Sequence, residues 1–465
     1  MIQKKLTLFF LILAIQCYGQ ENNLTIENLL SIVKMYHPIV KQSNLQNDIA
    51  NNQLTISKSV FDPSFQYSSK EKLFDNKLYY KNNLAEIKIP TWYGLDFKAG
   101  VENNTGENID PTLTKNLSSY FGVNIDPFRG ILIDKRKAVV TQAKNFIDLT
   151  KNEQTLVIND LILDATSAYW NWVSSYYNLK ILKKSVQNNK ERFDVIKNSY
   201  LSGDRAPIDT IEAMTQLQTF EILETQANLE LQKSKNELSN FCWTELGLPY
   251  ELSNTIQPDS QFENNNVLNL DLDKLENLLQ TGTNFHPKIK MVENKLNILN
   301  LEKRLKLIEL FPNLKMEYNI LDNNNDFKNI VNNYNKFNNY KYGISISMPL
   351  FQRQTRGDIA KTKNKIEEQN WNKRNIILEI DNKIKNYYSE FYSLKQQLKT
   401  NEKILLSNKL LFDAENSKFK LGESSLFLIN SRELKYIETE QKTVALKTKL
   451  FNTFYKVFWA TGTLQ

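Results

Sequence analysis

Glycine and proline are scarce in this chain, at 13 and 11 of 465 residues. So few helix-breaking residues exclude a fold of many short elements joined by tight turns, and favour long uninterrupted helices. Histidine and cysteine are scarcer still, at 2 each. Cys17 falls in an N-terminal segment that reads as a secretory signal: Lys4 and Lys5 precede an apolar run at 6–15, and small residues suit cleavage after Gly19. Gln16 stands where a lipoprotein signal carries a small residue, which speaks against lipidation of Cys17. Cleavage leaves Cys242 as the single cysteine. That excludes an intrachain disulfide, and the thiol is expected to pack quietly on a helix. Beyond the signal no apolar run reaches about 18 residues, so no transmembrane helix is expected. A secreted chain of this kind is free in the periplasm, exported further, or inserted in a membrane through strands. A dense basic block is missing too. The net charge of +7 is scattered along the chain, which reads as solvated helix faces and not as a nucleic-acid surface.

What the chain has is an internal duplication. His37-Pro38 and Phe61-Asp62-Pro63 return as His286-Pro287 and Phe311-Pro312, at a constant shift of 249 residues (38 to 287, 63 to 312). Both histidines sit at the repeated dipeptide. A duplication of this length makes each half one unit of a repeated architecture and not a separate enzyme domain.

Each half runs in the same order. A short helix (about 26–35, and 272–279) leads into a second helix opening at Pro38 or Pro287, where the missing N–H costs nothing. Pro63 and Pro312 end those helices. Alternating segments follow. Leu95, Phe97, Ala99 and Val101 alternate with polar or small residues, as do Phe121, Val123 and Ile125; Leu314, Met316, Tyr318 and Ile320; and Tyr342, Ile344, Ile346 and Met348. Period two with one apolar face predicts half-buried strands. They are too few and too far apart for a sandwich, and fit a barrel whose apolar side faces lipid. The first half carries extra strand-like segments at 65–70 and 85–89 with a turn at 91–94, which either join the barrel or decorate it. The Asn-rich stretch 323–339 reads as an exposed loop.

Two very long helices come next, about 129–201 and 357–421. Leu161, Ala165, Ala168, Trp172, Leu179, Val186, Phe193 and Tyr200 overlay on Ile380, Ile384, Tyr387, Phe391, Leu398, Leu405, Phe412 and Phe419 at a shift of 219 residues (161 to 380). Steps of three, four and seven make this a coiled-coil seam, which needs a partner helix. The partners follow at once, at 207–246 and 426–460, after short turns around Gly203 and Gly422.

Four signatures, given twice in one order, resemble the TolC family of outer-membrane efflux proteins. They are the helix followed by His37-Pro38 or His286-Pro287, similar to the family's Asn-Pro; the helix-to-strand Pro63 or Pro312; the strand-to-helix passages ending at Pro127 and Pro349; and the turns at 201–209 and 421–428. The resemblance covers essentially the whole mature chain. It implies a mainly α fold with a β-barrel part, in a homotrimer whose copies share one transmembrane barrel and one sleeve of coiled-coil helices. Residues 1–19 are then the signal and 20–248 the first repeat, with strands about 64–126, a hairpin about 129–246 and its tip near 203. A linker at 249–270 leads to the second repeat, 271–465, with strands about 313–348, a hairpin about 353–460 and its tip near 422. It further implies an outer-membrane exit duct reaching into the periplasm of a Gram-negative cell. Its partners would be outer-membrane lipid, a periplasmic adaptor (membrane-fusion) protein, and a proton-driven or ATP-driven inner-membrane pump for efflux or type I secretion.

The same resemblance makes Gly203, Asp204, Arg205, Gly422, Glu423, Ser424 and Ser425 the adaptor-binding tip, although the two glycines also read simply as helix C-caps. Asp209 falls near the family's acidic gate position. It either contributes to a cation-attracting ring or only favours a helix N-terminus. Leu428 stands at the corresponding place in the second repeat, so a gate here would be less charged than a doubly acidic one. An enzyme is disfavoured, because His37 and His286 are explained by chain geometry, and no metal-ligand spacing or phosphate loop is present. No cofactor and no nucleic-acid partner is expected. The other reading is a structural periplasmic coiled coil or surface adhesin, which shares the seams but not the strands.

Overall fold

The computed structural model describes residues 23–464 apart from 133, 254, 260–261, 263–267, 269 and 323–338. The signal at 1–19, nearly all of the loop at 323–339 and part of the linker at 249–270 lie outside the described residues. The chain forms two compact units, each built from both repeats. One comprises Met1–Asn44, Gln154–Pro287 and Ile377–Gln465, the other Leu45–Glu153 and Lys288–Ile376.

In the first unit, α1 (Ile26–Tyr36) is capped by Thr25, whose side chain accepts the Asn28 N–H, and it buries Ile26, Leu29 and Val33. α2 (Pro38–Lys58) opens on its proline. In the second repeat α5 (Leu275–Phe285) and α6 (Pro287–Ile308) keep the same order, with α5 three residues later than its sequence pattern suggests. The long helices are α3 (Lys135–Leu201) and α7 (Arg353–Lys420), and their return partners are α4 (Pro207–Ser239) and α8 (Leu426–Thr461). The seam is where the spacing puts it. Leu161, Ala165, Ala168, Trp172 and Leu179 are buried, as are Ile380, Ile384, Phe391 and Leu398. Of the remaining seam residues only Tyr200 is exposed. Ile26, Leu29, Val33, Trp170, Trp172, Leu238 and Cys242 pack in one core, and the Cys242 thiol donates to the Leu238 carbonyl. Removing these side chains from water, at ~25 cal/mol per Å² of apolar area, holds the short helices on the hairpins. A short parallel pairing of β1 (Asn23–Leu24) with β6 (Gln257–Pro258) ties the start of the described chain to the linker.

The second unit holds a six-stranded, wholly antiparallel sheet in the order β2-β3-β4-β5-β7-β8. Its strands are β2 (Ser64–Phe74), β3 (Lys77–Pro90), β4 (Leu95–Thr105), β5 (Asn116–Ile125), β7 (Asn313–Asp322) and β8 (Tyr340–Ser347). The β5–β7 ladder joins the repeats. The extra strands of the first half, left open by the sequence, belong to this same sheet through ten β3–β4 register pairs. The sheet curls into a half-barrel.

The chain does not pass straight from β5 into an α-helix at 129. It first makes a π-helical turn, Pro127–Leu132. The backbone passes close to Gly94 here: a Cβ on Gly94, which has φ +80, would lie 2.3 Å from the Gly130 carbonyl oxygen. All six repeat-marking prolines stand at element boundaries. Pro38 and Pro287 open helices, Pro63 and Pro312 precede strands, Pro127 opens the π turn, and Pro349 lies between β8 and α7.

Candidate functional site

The sheet is inside out by the standard of a water-soluble protein. One face carries Phe65, Tyr67, Ile87, Ile89, Phe97, Phe121, Val123, Tyr318, Ile320, Tyr342, Ile344 and Ile346, placed side by side by the register. Most of its large side chains are exposed, Phe65 and Ile346 each to 70% and Tyr342 to 66%, with Phe97, Val123 and Ile320 half-buried. The opposite face carries Lys88, Asp96, Lys98, Glu102, Asn124, Glu317 and Asn319, and its middle is covered: Lys98 is 8% and Asn319 5% exposed, whereas the Lys88 and Glu317 side chains keep 42% and 41%. Its charges are paired. Lys98 meets Glu317 at 2.9 Å, Lys88 meets Asp96 at 3.3 Å, and Arg136 bridges Asp96 (2.6 Å) and Asp134 (2.7 Å). The Tyr120 hydroxyl donates to Glu86 at 2.5 Å. Those carboxylates hold the Arg136 guanidinium charged far above its ordinary value. A sheet that hides ion pairs and shows aromatics to the outside satisfies its polar groups in an interior and its apolar ones in lipid.

Strand tilt agrees. Phe65, Ile87, Ala99, Phe121, Ile320 and Tyr340 form one row across the sheet. Phe65 is one residue from the helix-joined end of β2 (64 to 65), while Tyr340 is seven from that end of β8 (340 to 347). Six residues of stagger over five strand steps, at about 3.3 Å per residue and about 4.8 Å per step, give a tilt of roughly 40°. Closed barrels need about 35–45°.

The two hairpin turns are the same device built twice. Gly203 and Gly422 take φ of +85° and +78°, the left-handed region that glycine enters without strain. Around Gly203 its N–H bonds to the Tyr200 carbonyl at 3.0 Å and Asp204 N–H to Ser199 at 2.9 Å. Around Gly422 its N–H bonds to Phe419 at 3.1 Å and Glu423 N–H to Lys418 at 2.9 Å. Each is a Schellman cap. Ser425 caps α8 by accepting the Leu428 N–H, and the Ser424 hydroxyl bonds Glu415. No atom lies within 4 Å of a Cβ built on either glycine.

Asp209, the expected gate residue, sits in the first turn of α4 and is paired with Arg205 at 3.5 Å. The Arg205 guanidinium lies 4.6 Å from the centre of the Phe419 ring, which ties the first-repeat turn to the second-repeat hairpin. Two turns of helix deeper, Arg192 of α3 meets Glu433 of α8 at 2.5 Å and Asn430 at 3.2 Å. The Glu433 side chain is only 2% exposed. Along the sequence the scattered charge reads as solvated helix faces. For Arg192 and Glu433 the structure corrects that reading, because a lone charge on a long helix carries no local mark of the partner that will bury it.

His37 serves the backbone. His37 Nδ1 accepts the Ile39 N–H at 3.2 Å, so the ring caps α2 as an Asn, Asp or Ser would. A hydrogen bond with the Asn240 backbone and contacts to the Phe241 and Trp243 rings hold it. Burial lowers its pKa. At the second repeat a Cβ on Gly462 would press on the His286 ring and Pro287. Burial pushes the Cys242 thiol up to about 12, leaving it inert. Among the described residues no group of three or more His, Cys, Asp or Glu could hold a metal, and no helix is long and apolar enough to cross a membrane.

Helical hairpins given twice, together with an apolar-out antiparallel sheet, are the fold of outer-membrane channels, and the TolC-like resemblance read from the sequence holds at the level of fold. The chain is similar to the Campylobacter jejuni CmeC outer membrane channel (TM-score 0.65, 14% identity, over 96% of this chain and 86% of that one). It is equally similar to the Vibrio cholerae outer membrane protein VceC (0.66, 12%, 95% and 97%) and to the open state of the Neisseria gonorrhoeae MtrE outer membrane channel (0.64, 12%, 95% and 89%). No family model and no curated protein sequence matches the chain.

Proposed function

We propose that this chain is the outer-membrane component of an export system: a passive duct through the outer membrane and into the periplasm, without covalent chemistry of its own. One observation carries the reading. The sheet exposes large aromatic and aliphatic side chains on one face while burying Lys98, Asn104 and Asn319 on the other, an arrangement that water disfavours and lipid requires. The resemblance to the TolC family implies a homotrimer, and the open sheet independently calls for further copies. Among the described residues one copy has six strands with two free edges, and open edges are not tolerated in hydrocarbon. Three copies sharing a barrel remove them.

The capped turns around Gly203 and Gly422 would be the contact for a periplasmic adaptor, which couples the duct to a proton-driven or ATP-driven inner-membrane pump. Asp209 would line the entrance, its charge partly offset by Arg205. The duct serves either small-molecule efflux or type I protein secretion. A purely structural coiled coil or adhesin would have no use for an apolar-out sheet.

Fractionation and heat-modifiable gel mobility test the reading. The processed protein is expected in the outer membrane as an oligomer that migrates differently after boiling, and its deletion should sensitise cells to exported toxic compounds or block secretion of a protein. A processed chain that washes off with the soluble periplasm as a monomer would refute it.

A further inference from the structure

The two repeats contribute unequally to the sheet. Among the described residues the second supplies β7 and β8, whereas the first supplies β2, β3, β4 and β5. The surplus is a hairpin, 64–90. It leaves from the helix-joined end of the sheet and returns to it, so it adds two strands without disturbing the up-and-down alternation. We propose that this hairpin is part of the barrel wall and that β2, not β4, is the edge that pairs with β8 of the next copy, so that three copies close a barrel of 18 strands from six each. This rests on the trimeric membrane reading above.

Five observations point there. The β4 edge is already taken: β3 covers it over ten register pairs, from Lys81↔Thr105 to Pro90↔Asp96. Among the described residues the edges left free are β2 and β8. β2 runs away from the helix-joined end and β8 toward it, so neighbouring copies related by rotation about the barrel axis present them antiparallel. The hairpin also keeps the sidedness of the wall, with Phe65, Tyr67, Ile87 and Ile89 on the exposed apolar face and Gln66, Glu86 and Lys88 on the polar one. The roughly 40° tilt is carried by all six strands together.

Farther up the hairpin the outward face turns polar, but its groups pair with one another. Ser69 donates to Asn83 at 2.7 Å, and Lys81 meets Glu71 at 2.7 Å. These pairs suit the outer rim. Because diameter grows roughly linearly with strand number, the added hairpins make the barrel about half again as wide as four strands per copy would.

The test is disulfide trapping in outer membranes, with Cys242 as the buried background thiol. Tyr67→Cys (β2) and Ala99→Cys (β4) are each combined with Tyr342→Cys, Ile344→Cys or Ile346→Cys (β8) and oxidised, and covalent dimers and trimers are read on non-reducing gels. Tyr67→Cys is expected to cross-link with at least one β8 position and Ala99→Cys with none, and an electron-microscopic reconstruction should count 18 strands. Cross-linking through Ala99→Cys alone, or through neither in a heat-modifiable trimer, overturns the proposal while leaving the duct intact. A soluble monomer instead removes the membrane reading beneath it.

Discussion

Adjacent residues of β8 give the sharpest test of the inside-out sheet. Ile344 lies on the apolar face, opposite Met316, and is 58% exposed. Gly343 lies on the polar face, opposite Glu317, and no atom stands within 4 Å of a Cβ built there. In a water-soluble sheet Ile344→Arg at so open a site should change stability by no more than about 0.5 kcal/mol. In a barrel wall the same arginine is pushed into hydrocarbon, at about 2–4 kcal/mol near the midplane. That is roughly 30- to 1,000-fold in the insertion equilibrium per copy, compounded over the copies of an oligomer. Gly343→Arg adds the same charge one residue away, facing water and a carboxylate, and should insert at close to normal yield. The measurement is refolding of each variant into lipid vesicles, with the folded fraction followed by heat-modifiable mobility across a urea series. Ile344→Arg is expected to fail or to shift strongly toward the unfolded form, and Gly343→Arg to track the unaltered protein. Equal behaviour of the two would refute the assignment of the apolar face to lipid.

Other perturbations test particular contacts. Arg192→Met leaves Glu433 buried without its partner, which should cost about 3–5 kcal/mol; thermal unfolding in detergent should show a marked drop, largely recovered by adding Glu433→Leu, and an unshifted midpoint would remove the pair from the list of stabilising contacts. His37→Ala should cost about 0.5–2 kcal/mol through the lost helix cap, while His37→Asn keeps it. Because burial lowers the His37 pKa below 6.5, its contribution is complete above that pH and declines as pH falls through it, when the unfolded chain takes up the proton first; a His37→Asn variant with the same acid sensitivity as the parent would contradict this. Gly203→Val or Gly422→Val forces a left-handed β-branched residue, about 1–2 kcal/mol of strain with no clash to add, and should weaken adaptor pull-down without preventing membrane insertion. Asp209→Ala should change cation selectivity in planar bilayers only modestly, since Arg205 already pairs with that carboxylate; an unchanged reversal potential would take Asp209 out of the gate.

Much of this architecture can be read along the chain. The seam from Leu161 to Leu179, the helices opening at Pro38 and Pro287, the strands around Phe97, Phe121, Tyr318 and Ile344, and the glycine turns at 203 and 422 all rest on periodicity or on one residue's backbone preference. Such properties are local, and a duplication states them twice. Tertiary structure alone decided which elements meet. It placed the 64–90 hairpin beside β4, paired β5 with β7 across the repeats, wound 127–132 into a π turn against Gly94, and buried Arg192 on Glu433, 241 residues away. A strand's alternation says that it has two faces, not which edge it joins, and a charge on a helix does not name its counter-ion. Those choices depend on contacts between segments far apart in sequence, whose strength exists only once the chain has brought them together.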